Sequence, residues 1–423
     1  MSPVSPGSPV NVIGHAGGAS FEDFTGDGRL DIIASGRTLE DPLKFFVNTG
    51  EGFIDSTQQA GLNGFVGGLN LEHFDYNNDG DMDLLVLRGA WPQSRPGDLP
   101  NTLLRNNGDS TFTDVTRRTG LLTQQPTQTA AVADFNRDGW VDVFIGNEAL
   151  SGRDQPSKLY LNQAGDSFVD VSERVGLTLN DWVKGASWGD VNGDGLPDLY
   201  VSIYRGNNKL YINEGGNSIS DWSFRKAAGR AGVRGPKNSF ATWFWDYNND
   251  GNDDIFVANF NRVGNSPAVA AAQLQLGESS TRRNARPALY RNKGDGTFKE
   301  VSRRSNLTGI HHVMGSNYGD LTHDGFPGVY LGTGSPALSA LVPNRFFGSG
   351  AGNSFVDRTT RYGLGHLGKG HAVAFGDFDD NGFSDLYQTR GGVLPVDASK
   401  NVLYRNRGNE NNWIQLRLLG RDS

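Results

Sequence analysis

Asp75-Tyr76-Asn77-Asn78-Asp79-Gly80-Asp81-Met82-Asp83 is one of seven copies of a single nine-residue pattern; the others begin at Asp23, Asp134, Asp190, Asp246, Asp320 and Asp377. Successive copies lie 52, 59, 56, 56, 74 and 57 residues apart, the period of a structural repeat. Oxygen-bearing side chains recur at positions one, three, five and nine, and Gly follows at six. The quartets are Asp23, Thr25, Asp27 and Asp31; Asp75, Asn77, Asp79 and Asp83; Asp134, Asn136, Asp138 and Asp142. They continue with Asp190, Asn192, Asp194 and Asp198; Asp246, Asn248, Asp250 and Asp254; and Asp377, Asp379, Asn381 and Asp385. A hard cation such as Ca²⁺ takes about six to eight oxygens, and a tight loop supplies them from alternate residues. The Gly serves the reversal, where a positive φ costs it little.

An EF-hand would need a helix on either side and a Glu at position twelve. The twelfth positions are Ala34, Val86, Ile145, Val201, Val257, Leu331 and Gln388, and the runs that follow position nine (Leu84-Leu85-Val86-Leu87, Val143-Phe144-Ile145) are β-rich. The loops therefore read as strand–loop–strand cation sites. A second block follows each: Leu103-Leu104-Arg105-Asn106-Asn107-Gly108-Asp109-Ser110-Thr111-Phe112-Thr113-Asp114-Val115, a strand, an Asn/Gly/Asp turn and a second strand. Each repeat thus holds four strands, A to D. Seven such units predict an all-β, seven-bladed β-propeller.

The expected blades are 13–62, 63–121, 122–177, 178–233, 234–307, 308–364 and 365–419, after a flexible Pro/Ser-rich segment 1–12 and before a tail 420–423. In the last blade Trp413-Ile414-Gln415-Leu416-Arg417-Leu418-Leu419 is expected either to close the ring or to open a further domain. The insertion Asn261 to Arg286 includes an Ala-rich stretch, Ala268 to Leu276, read as a short helix. With Lys+Arg 39 against Asp+Glu 47 the net charge is −8, and no basic run marks a nucleic-acid partner. There are no cysteines, so cations rather than disulfides would cross-link the fold. No apolar stretch approaches the ~20 residues of a membrane span, and no signal peptide is evident.

The loop pattern, flanked by strands at this spacing, resembles FG-GAP/VCBS repeats. The block Leu-Tyr-x-Asn-x-Gly-Asp-Gly-x-Phe, as at Leu289 to Phe298, is similar to the ASPIC/UnbV, or cartilage-acidic-protein, family. The resemblance covers about residues 15–419 and implies the propeller of integrin α-subunits and bacterial surface proteins, with Ca²⁺ in the loops. In that family a strand like Asn412-Trp413-Ile414-Gln415-Leu416 begins a C-terminal ASPIC/UnbV domain, so the resemblance implies a tail truncated before one. Two copies depart from the pattern. The sixth has Gly328 at position nine, so Asp320, Thr322 and Asp324 are expected to form a weakened or empty site; the seventh keeps three carboxylates although position five is Asn381. The expectation is six structural Ca²⁺ ions.

Topology places the A→B cation loops on one face and the B→C and D→A connections on the other. Loops on a rigid scaffold carry binding residues, so the second face is the candidate ligand surface. His15, Trp182, Lys184, Asn238, His311, His312, Lys369 and His371 fall near the start of strand A there, around one channel mouth; Trp91 and Arg95 lie in a B→C segment. His and Lys suit acidic sugars or acid–base work, and Trp182 suits stacking. The opposing reading is that these groups only tie neighbouring loops together. Trp188, Trp243 and Trp245 read as packing between blades. The function expected is a secreted or cell-surface binding module for a glycan or an extracellular protein, monomeric and without membrane insertion. The alternatives are an enzyme at the mouth, such as a polysaccharide lyase or tailoring enzyme, and a platform for a further domain.

Overall fold

The structure is a computed structural model, and it describes residues 1–5, 7–88, 99–149, 154–260, 285–334, 342–392 and 394–413. Seven four-stranded antiparallel sheets follow one another along the chain. The innermost strands are Ala19–Glu22, Asn70–Phe74, Thr127–Ala133, Val183–Gly189, Ser239–Trp245, Val313–Gly319 and Gly370–Gly376. Successive inner strands contact one another, as do the first and the last, so the sheets form a closed ring. The second strand of every blade is buried along its whole length, as in Asp83–Leu87 and Asp142–Asn147, because neighbouring sheets cover both of its faces. The outer strands Phe112–Asp114 and Phe168–Asp170 bury only the Phe. The hydrophobic clusters accordingly lie between blades: one joins Phe144 and Leu159 of the third to Leu199 and Tyr211 of the fourth.

Ring closure corrects the reading of the N-terminal segment. Ser2–Pro3, expected to be a flexible linker, pairs antiparallel with Val402–Arg405 as the fourth strand of the last blade. Val4 N–H donates to Leu403 O at 2.8 Å, and Val10 is fully buried among Phe21, Ile32 and Tyr387. The apolar valines of a Pro/Ser-rich segment supply the burial that holds it. The strand expected at Trp413–Leu419 lies outside the described residues except for Trp413. That residue is outside any strand, and its ring lies against Gly382 of the seventh cation loop. The helix expected at Ala268–Leu276 also lies outside the described residues.

A hydrogen-bonded belt links the blades. In six blades the Asn that ends or directly follows the third strand (Asn48, Asn106, Asn162, Asn213, Asn292 and Asn406) donates Nδ2–H to a carbonyl in the preceding blade's nine-residue loop, at 2.6–3.1 Å. The acceptors are Phe378, Phe24, Tyr76, Phe135, Val191 and Leu321, the second residue of each loop. The sixth blade has Ser349 at this position and Gly328 in place of the loop's last Asp. Aromatic packing takes over at that junction, with Trp243 stacked on Phe256 at 4.5 Å and on Tyr318 at 5.6 Å, and Trp245 on Phe355 at 5.9 Å. Asn213→Ala should cost about 1–3 kcal/mol, because it strands the buried carbonyl of Phe135. Ser349→Ala should cost about 1–3 kcal/mol as well, since it strands the buried N–H of Gly352, but that loss stays within the sixth blade. Urea unfolding checks both, and a loss below about 1 kcal/mol for Asn213→Ala would remove the belt's role.

Candidate cation loops and the opposite face

Within each loop the first Asp closes the turn. Asp75 accepts Asp79 N–H at 3.2 Å and Gly80 N–H at 2.8 Å, and Asp134 and Asp246 do the same in theirs. The sixth-position Gly has φ of +91° at Gly80 and +86° at Gly382, which only glycine adopts without strain. Position four is also left-handed in every loop, including Asn78, Arg137, Asn249, His323 and Asp380. Three of these reach the next loop: Asn78 Nδ2–H to Gly139 O at 2.9 Å, Asn249 Nδ2–H to Gly325 O at 3.1 Å, and Arg137 to Gly195 O.

The ninth-position Asp is the group least at ease. Asp31, Asp83, Asp142, Asp198, Asp254 and Asp385 are all fully buried. Asp142 accepts Asn162 N–H at 2.8 Å and Phe135 N–H at 3.2 Å, which ties the loop to the third strand. Burial nevertheless pushes its carboxyl up to about 8, with Asp138 and Asp134 adding repulsion. The same cause raises Asp31 to about 6, Asp83 and Asp198 to about 7, and Asp254 and Asp385 to about 8. Oxygens without any hydrogen-bond partner stand beside them: Asn77 Oδ1, Asn248 Oδ1 and Asp254 Oδ2. In the seventh loop ligand oxygens of Asp377, Asp379 and Asp385 lie within 4.8 Å of one another. Clustered carboxylates opposed by burial, together with orphaned oxygen acceptors, fit a hard divalent cation. In the sixth loop Asp320 accepts Gly325 N–H at 2.8 Å and Thr322 Oγ1–H at 3.1 Å, and Gly328 brings no oxygen from its side chain.

On the opposite face the predicted mouth residues are mostly engaged with the protein. His15 Nδ1 lies 3.0 Å from Asp41 Oδ2. Lys184, buried, pairs with Glu148 and donates to Gln128 Oε1 at 3.0 Å. Burial lowers its ammonium against the pull of Glu148. Lys369 pairs with Asp397. His311 packs edge-on against Phe347 at 5.3 Å; burial first and Arg345 second push it down to about 3. His371 is likewise pushed to about 3, chiefly by burial. His312 packs on Phe260 at 5.9 Å, with neither ring nitrogen bonded. Trp182 meets Tyr204 edge-on at 4.9 Å, and Asn238 accepts Phe260 N–H at 2.8 Å through its carbonyl. Trp91 and Arg95 lie outside the described residues. Lys184 and His371 do share one channel cavity of about 310 Å³. Glu72, which the sequence did not single out, lines it too, and burial raises its carboxyl to about 7.

Ninety residues of the chain are 36% identical to cartilage acidic protein 1 of Xenopus tropicalis, covering 21% of this chain and 13% of that protein. A match of the same length to integrin alpha-3 of Cricetulus griseus is 34% identical, over 19% of this chain and 9% of that one. The chain therefore spans only a small part of the length of these relatives. In fold it is similar to BBS1N, solved in complex with ARL6DN, with a TM-score of 0.53 and 11% identity over 97% of this chain and 98% of the other. The FG-GAP-like repeat matches residues 23–86, 90–145, 147–201, 190–257 and 246–331. With most of its length so matched and every blade built on the same loop, the chain belongs to the FG-GAP-like repeat family.

Proposed function

We propose that this propeller is a calcium-stapled binding module of the cell surface or extracellular space, and that it holds a glycan or a protein partner on the face opposite the cation loops. The observation that carries the reading is the set of six buried ninth-position carboxyls, each raised by burial and by the neighbouring carboxylates of its own loop. A cation there would be held by positions one, three, five and nine, and would join the first two strands of each blade. Extracellular modules use calcium sites of about 10⁻⁴–10⁻³ M affinity, which suits loops as exposed as these. The relatedness to an integrin alpha chain supports the same setting. The absence of cysteines leaves the cations as the cross-links.

The test is incubation with a panel of neutral and acidic polysaccharides in Ca²⁺, recording both retention of the protein and new chain ends. Retention without cleavage is expected. Release of new ends would replace the reading with an enzyme at the channel. Absence of both would remove the glycan and leave a protein partner as the ligand.

A further inference from the structure

Acidic residues outnumber basic ones in the chain, 47 to 39, yet one sector of the ligand face is basic. The connections 204–208 and 227–238 meet there. Gly206 N–H donates to Lys237 O at 3.2 Å and Asn208 N–H to Arg234 O at 3.0 Å, and Tyr204 bridges to Asn238. The two segments present Arg205, Arg234 and Lys237, all exposed, with Arg230 also exposed alongside. Arg234 and Lys237 line a recess of about 250 Å³ with Asn207, Gly229 and Gly235, and that lining contains no acid. The carboxylate nearest to Gly206 is Asp181, which is already paired with Lys209 Nζ at 3.1 Å. Among the described residues Arg205, Arg234 and Lys237 form no ion pair.

Two of these cations are held in place before any ligand arrives. The Arg205 guanidinium lies over the rings of Trp182 at 5.7 Å and Tyr204 at 5.5 Å, a stacking that leaves its N–H edge free. The Arg234 guanidinium lies against Gly229, where any side chain would meet it. Like charges gathered in this way repel one another, and no carboxylate among the described residues pairs with them, although the chain has carboxylates to spare. A bound anion would. The same stacking covers the aromatic surface: Tyr204 is buried and Arg205 lies over Trp182, so no open ring is offered to a nucleic-acid base.

We propose that this sector of the fourth and fifth blades binds the carboxylate or sulfate groups of an acidic polysaccharide. The proposal rests on the binding-module reading and narrows its ligand. The test compares retention on heparin, polygalacturonate, neutral dextran and single-stranded DNA, at physiological salt with Ca²⁺. The wild type should prefer one of the two acidic polysaccharides over dextran and over DNA. The triple variant R205A/R234A/K237A should lose about tenfold or more of that affinity, with its melting curve in Ca²⁺ unchanged. K299A/R303A/R304A removes three exposed cations elsewhere and should lose little.

Equal losses in both triples, or equal retention of DNA, would reduce the effect to bulk charge and overturn the site. If the wild type is retained by a polysaccharide and R205A/R234A/K237A binds as well, the site is wrong and the binding module stands. Retention on neither acidic polysaccharide overturns the site outright. If dextran also fails, the glycan arm of the proposed function falls with it.

Discussion

Removing calcium with a strong chelator at pH 8 is expected to lower the melting temperature by roughly 10 °C or more, because any cation bound only to the folded state stabilises it by mass action. The effect should depend on pH in a direction that identifies its cause. The ninth-position Asp carboxyls have folded values raised to between about 6 and 8, above an unfolded value of 3.8. Between pH 4 and pH 8 the unfolded chain therefore binds fewer protons than the folded one. Stability of the metal-free protein should be greatest near pH 4 and fall as pH rises through 6 to 8. With Ca²⁺ present the order should invert, since protons then compete with the metal for the same oxygens. Melting curves at pH 5 and pH 8, with and without chelator, check this. Curves indifferent to chelator at both pH values, in protein free of metal by elemental analysis, would sink the cation loops.

Asp142→Ala is expected to cost about 2–5 kcal/mol, since it leaves the buried N–H groups of Asn162 and Phe135 without an acceptor. Part of that loss belongs to the scaffold and should persist in chelator. The remainder belongs to the cation and should appear as about one ion fewer per chain. Asp320→Ala provides the contrast. Its carboxylate caps the sixth loop through Gly325 N–H, so some stability is lost, but Gly328 offers no side-chain ligand and the ion count should not change. Titration calorimetry and elemental analysis of the two variants separate these outcomes. An unchanged ion count in Asp142→Ala would confine that carboxylate to its hydrogen bonds.

The nine-residue loops and the blades were legible because they are local. Alternate oxygens and a Gly within nine residues, then apolar strands and an Asn/Gly turn, state their geometry over short stretches that recur seven times. The belt Asn residues were visible as a recurring letter and were read only as turn formers. Their acceptors lie in another blade, as far away as residue 378 from Asn48. The left-handed position four was hidden for a different reason. Asn, Arg, His, Asp and Gly all occupy it, so composition carries no signal while the backbone does.

The mouth residues show the limit of spacing arguments. Counting back from each loop puts Lys184 and His371 on strand A and the others before it, but it does not reveal that Asp41, Glu148 and Asp397 arrive from other segments to pair with His15, Lys184 and Lys369. Nor does it reveal that burial holds His311 and His371 neutral.

The sequence by itself determined the all-β repeat and the seven nine-residue loops with their recurring side-chain oxygens, because each is written in contiguous residues. Only the tertiary structure decided three further matters: that Ser2–Pro3 closes the ring, that the fifth and sixth blades are sealed by aromatic rings in place of the belt, and that the connection carrying Arg205 meets the one carrying Arg234 and Lys237. Each of these depends on residues brought together by ring closure or by inter-blade packing. Such contacts follow from the radius and order of the blades, which no local pattern encodes.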